Sequence, residues 1–105
     1  MSLAISRITD TGEGEECADE REAHQKYTTT YTSGSTSVFI NNLAVTTVTS
    51  TGEQSCGDGH TSTALTGSTT VFVENLGVHR ITDFGEGQLG DTYESSTGSP
   101  DVFAG

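Results

Sequence analysis

The chain has 105 residues, 30% of them apolar, no Trp, and a formal net charge of −11 at pH 7. That length allows one small domain, and a core this lean calls for a metal, a disulfide or a partner chain to reinforce it. Four Lys and Arg against fifteen Asp and Glu exclude a nucleic-acid backbone as partner.

Leu3 opens the phrase LAISRITDTGEG, whose alternating apolar positions predict a short strand with one buried face. The Thr-Gly-Glu within it predicts a turn. An acidic insert follows, at about residues 15–27, and seven of the chain's acids fall between Asp10 and Glu22. Glu15 to Lys26 is the one stretch of helix-forming composition. The run reads as a solvated loop, because the ordered Asp/Asn spacing of a calcium loop is absent. After a polar strand, Gly34 begins GSTSVFIN.

The chain then repeats itself. LAVTTVTSTGEQ starts at Leu43 and GSTTVFVE at Gly67; LGVHRITDFGEG starts at Leu76 and GSPDVFAG at Gly98. Three units result, at about residues 3–42, 43–75 and 76–105 of a single domain, 1–105. Self-similarity at this period predicts a repeat architecture in which no unit buries its face alone. Thr and Val favour strands and Gly supplies turns, so the fold class is all-β, with pseudo-threefold symmetry expected from three equivalent units. Phe39, Phe72 and Phe103 occupy equivalent places, as do Val38, Val71 and Val102, and all six are expected in the shared core.

Two Cys and three His carry the chemistry. Cys17 and His24 fall in the first variable loop, Cys56 and His60 in the second, and His79 lies in the third opening phrase where the second has Thr46. Thiolate and imidazole are the ligands zinc prefers, four at a time. His24, Cys56, His60 and His79 form the expected set, with Cys17 as fifth candidate. A Cys17–Cys56 disulfide is the alternative.

No enzyme is expected: there is no His-Glu-x-x-His, no nucleophile elbow and no phosphate-cradling loop. Nor does any apolar run have the length of a transmembrane span or a signal-peptide core.

The opening and closing phrases together resemble the PAAR-repeat proteins, small tips that cap the spikes of contractile phage tails and type VI secretion systems. The family's motif runs roughly Asn-Gly-x-Pro-Ala-Ala-Arg-Val-Gly-Asp, preceded by Gly-Ser-x-x-Val-Phe-Val. The matching stretches are GSTSVFINNLAVTTVTS, GSTTVFVENLGVHRITD and the initial LAISRITD, and TGSPDVFAG is typical of phage-type members. No copy holds a literal Pro-Ala-Ala-Arg. The positions read AISR, AVTT and GVHR; only Arg7 and Arg80 match the arginine, and Thr9, Thr49 and Thr82 stand where the family has Gly.

The resemblance implies a cone whose vertex is pinned by one zinc, with iron less favoured, through three His and one Cys. The set His24, Cys56, His60 and His79 reproduces that composition. It further implies a monomer whose base caps a trimeric β-helical spike and which meets a target membrane transiently. Its location would be a virion tail tip, or export through a contractile injection system. A Ser/Thr/Gly-rich extracellular binding or adhesion module is the alternative, with Tyr27, Tyr31 and Tyr93 as its free aromatics.

Overall fold

A computed structural model describes residues 2–17, 25–55, 60–88 and 91–105, with the backbone alone for residues 15–17 and 25. Among these residues the chain is all-β and has no helix, hence none long and apolar enough to cross a membrane. The strands are β1 (Leu3–Ala4), β2 (Thr11–Cys17), β3 (Gln25–Tyr31), β4 (Phe39–Ile40), β5 (Leu43–Ala44) and β6 (Thr51–Gln54). They continue as β7 (Thr61–Ala64), β8 (Phe72–Val73), β9 (Leu76–Gly77), β10 (Phe84–Gly87), β11 (Thr92–Ser95) and β12 (Phe103–Ala104).

Six of them close a barrel in the order β10-β11-β2-β3-β6-β7, every neighbouring pair antiparallel. Each repeat contributes one hairpin to it. Closure follows from alternation: Gly12 and Gly14, Tyr27, Thr29 and Tyr31, Gly52 and Gln54, Ser62 and Ala64, Gly85, Tyr93 and Ser95 all face inward and are buried. A six-stranded barrel has little interior, so large residues must be matched by small ones. Three tyrosines fill it, and glycines make room. A Cβ on Gly14 would enter the ring of Tyr27, and one on Gly85 the ring of Tyr93.

Two features differ from the sequence expectation here. Thr-Gly-Glu is the start of a barrel strand, not a turn, because its Gly is needed on the inward face. The flanks of the acidic insert are strands too: β2 runs on to Cys17 and β3 resumes at Gln25, with a register shift between Gly14 and Cys17. The middle of the insert lies outside the described residues.

The other six strands form the base, three two-residue ladders: β4–β5, β8–β9 and β1–β12. The bridges Arg7–Val45, Thr47–Val78 and Ile5–Arg80 tie the opening phrases to one another in a ring. Inside it Ile5, Val45, Val78 and Ala104 form a core, flanked by Ile40, Val73 and Val102. Asn41–Asn42 and Glu74–Asn75, all at positive φ, make the tight turns of the first two ladders. The third ladder pairs the two ends of the chain.

Barrel and base meet at three equivalent turns, 7–10, 47–50 and 80–83. Asp10, Ser50 and Asp83 each donate a backbone N–H to the carbonyl three residues back and accept one from that residue's N–H. The third residue of each turn has positive φ: 75° at Thr9, 83° at Thr49 and 71° at Thr82. Each of these threonines donates its N–H to a barrel carbonyl, of Tyr31, Ala64 and Ser95 respectively.

Candidate functional site

Phe39, Phe72 and Phe103 are not in the core. They are 58%, 57% and 53% exposed, one on each base ladder. The inward places in those strands belong to Ile40, Val73 and Ala104, whose side chains reach the base core. Val38 and Val71 are likewise exposed beside the phenylalanines, while Val102 is partly buried. Three consecutive apolar residues in Val-Phe-Ile do not disclose which face is buried. The signal available in the sequence was the threefold recurrence of Phe itself.

Polar contacts fix these ladders against one another. Ser37 donates to the Glu74 carboxylate at 2.8 Å, Ser68 to the Gly105 carbonyl at 2.6 Å, and Ser99 to Asn41 Oδ1 at 2.8 Å. Each Gly-Ser turn thus holds the far end of the next ladder. Glu74 and Asp101, both solvent-exposed, have their carboxyls held below the ordinary range by hydrogen bonds, from Ser37 and from Asn41 first.

Of the five candidate metal ligands, the side chains of His60 and His79 fall among the described residues. His24 and Cys56 lie outside the described residues, as does the side chain of Cys17, whose backbone closes β2 opposite Gln25. His60 immediately precedes β7, at the rim where β2, β6 and β10 end. His79 lies at the opposite rim, against the base. Its Nδ1–H donates to the carbonyl of Thr66 at 2.7 Å, and its Nε2 accepts from the Tyr31 hydroxyl at 2.7 Å.

The six residue steps from His60 to Thr66 cover roughly 20 Å of extended strand. Two nitrogens on one tetrahedral zinc sit only about 3.4 Å apart, given Zn–N bonds near 2.0–2.1 Å. The structure does not bring His79 and His60 together, and both His79 nitrogens already have partners. Among the described residues, no group of three or more His, Cys, Asp or Glu is placed to hold a metal.

The repeat explains why a histidine stands at position 79. Ser6, Thr46 and His79 occupy equivalent places and are each 0% exposed. The barrel residues equivalent to one another beneath them are Ser95, Tyr31 and Ala64. Ser6 bonds Ser95 at 2.8 Å, and its hydroxyl also donates to the carbonyl of Thr97. His79 makes the matching bond to Thr66 above the small Ala64, and its longer ring then reaches across to Tyr31, edge-on at 5.3 Å between centroids. A large residue sits over a small one, and the two large ones meet.

Tyr27, Tyr31 and Tyr93 are buried in the barrel, so they offer no aromatic groove to a sugar. Burial pushes the phenols of all three up. No protein-family model matches the chain, and no curated protein matches it.

Proposed function

We propose that this chain is a spike tip: a monomer whose base caps a trimeric β-helical spike of a contractile phage tail or type VI secretion system. The barrel points outward, towards the target membrane. The observation that carries this reading is the set of three exposed phenylalanines at equivalent positions of three base ladders. A partner with true threefold symmetry offers three equal sites, and a single chain with three equal contacts meets all of them at once. Burying the exposed part of each ring contributes about 2–3 kcal/mol before the cost of association.

The barrel supports the same reading from the other end. A closed sheet has no free edge, so nothing on its flank invites strand addition, and every barrel strand is braced on both sides. The tapering, pseudo-threefold cone belongs to this proposal. So does one structural zinc, the metal that the thiol and imidazole content favours. With His79 engaged at the base, the residues proposed to hold it are Cys17, His24, Cys56 and His60, which flank the β2–β3 and β6–β7 connections. Such a metal adds stability and no chemistry, and no enzyme activity is proposed.

The test is co-purification with a trimeric spike. One chain per spike trimer is expected by size-exclusion chromatography with light scattering. The triple variant Phe39→Ser, Phe72→Ser, Phe103→Ser should stay folded and lose the complex. Undiminished binding by that variant sinks the reading.

A further inference from the structure

His79 joins the barrel to the base. Its backbone N–H donates to the Thr46 carbonyl at 3.0 Å and its carbonyl accepts from Ser6 at 2.9 Å, which places it in the base ring. Its imidazole makes the two bonds to Thr66, where β7 leaves the barrel, and to Tyr31 at the end of β3. A carbonyl can only accept, so Nδ1 carries the proton. Nε2 therefore presents a lone pair to the Tyr31 hydroxyl, and that bond, in this direction, holds only while the ring is neutral.

A second proton has nowhere to go without loss. It would take the lone pair on Nε2 that Tyr31 uses, so the phenol O–H loses its acceptor at a wholly buried position. The titratable groups around the ring do not compensate. Tyr31 and Tyr93 come from the barrel, their rings 6.2 Å apart. Arg80 and Asp83, on the segment that carries His79, bond each other at 2.8 Å and cancel. Ser6 and Thr46, packed from the other two repeats, do not titrate.

We infer that the His79–Tyr31 contact is an acid-sensitive joint: Nε2 takes up a solvent proton only when the contact opens, so acid favours the state in which barrel and base have come apart. Burial, the largest influence, pushes the His79 imidazole down, and the Thr66 bond and Asp83 only partly restore it. Protons thus bind the unfolded chain more readily. The stabilisation is complete above the ordinary imidazole value of about 6.5 and is lost as pH falls below it. This inference does not rest on the spike-tip reading.

The experiment is urea unfolding of the full chain between pH 5 and 8, with EDTA throughout so that loss of a metal cannot mimic the effect. Below pH 6.5 the unfolding constant of the wild type should rise more steeply than that of His79→Gln, the difference approaching tenfold per pH unit, the signature of one proton. Nitrogen-15 spectra of the folded wild-type imidazole should show a neutral ring protonated at Nδ1 down to pH 5. Equal slopes in the two proteins, or a folded-state ring that titrates near 6.5, overturn the inference.

Discussion

Gly12 lies so close to Tyr93 that a Cβ there would sit 2.7 Å from Cδ1 of the ring, with the carbonyl of Glu94 at 2.9 Å. Gly85 confines the same ring from β10. The tyrosine is therefore clasped between two strand positions that leave no room for a side chain. Gly12→Ala and Gly85→Ala should each cost about 1–3 kcal/mol or more by overpacking. Thermal unfolding would fall by roughly 4–8 °C per kcal/mol. In Gly85→Ala combined with Tyr93→Ala the cost of the alanine should shrink, because the clash has gone; strict additivity would refute the clasp.

The junction threonines predict the opposite sign. Thr9, Thr49 and Thr82 hold positive φ, which is strained for a β-branched residue, and their side chains are exposed. Replacement of any one by Gly should stabilise the fold by about 0.5–1 kcal/mol, relief of strain outweighing the entropy that Gly adds to the unfolded chain. Chemical denaturation of the three single variants reads this directly, and a loss at all three sites would mean the turns are not strained.

Arg80 and Asp83 should show their contribution in acid. Burial pushes the Asp83 carboxyl up, but the bonds from Arg80 outweigh it and hold the carboxyl below its ordinary value. A carboxyl depressed in the folded state stabilises above the unfolded value of about 3.9 and loses that effect as pH falls through the folded one. Asp83→Ala should therefore destabilise by about 1–3 kcal/mol at pH 7, and by progressively less below pH 4. A penalty that does not change between pH 7 and pH 2.5 would contradict the pairing.

Zinc analysis separates the two ends of the barrel. One zinc per chain is expected, lost or weakened in Cys17→Ser, Cys56→Ser and His60→Ala and retained in His79→Gln. Chelation should lower the melting temperature of the wild type and of His79→Gln alike. Loss of zinc in His79→Gln with retention in Cys17→Ser would restore the original set of ligands.

Much of the fold was legible in the repeat. The Thr-, Val- and Gly-rich phrases pointed to an all-β chain, as the structure has it. What the phrases could not disclose was which of two faces each short apolar run buries. Phe39 and Ile40 are both apolar, and only the base core decides between them. Thr-Gly-Glu reads as a turn because Gly usually marks one, yet here Gly12 is small so that Tyr93 on the neighbouring strand β11 can be large. His79 reads as a ligand beside four other soft donors. Its role depends on Ala64 and Tyr31, residues 15 and 48 positions distant, a relationship that exists only once the barrel has closed.

The pairing of β1 with β12, and of β2 with β11, has a kinetic consequence. Both rings are completed by the last strands of the chain returning to the first, across nearly its whole length. An emerging polypeptide can form its early hairpins but cannot seal either ring before residues 92–104 are available. Folding should accordingly be slow for so small a protein, on the millisecond-to-second scale of β topologies dominated by distant contacts, and its final step should be circular closure.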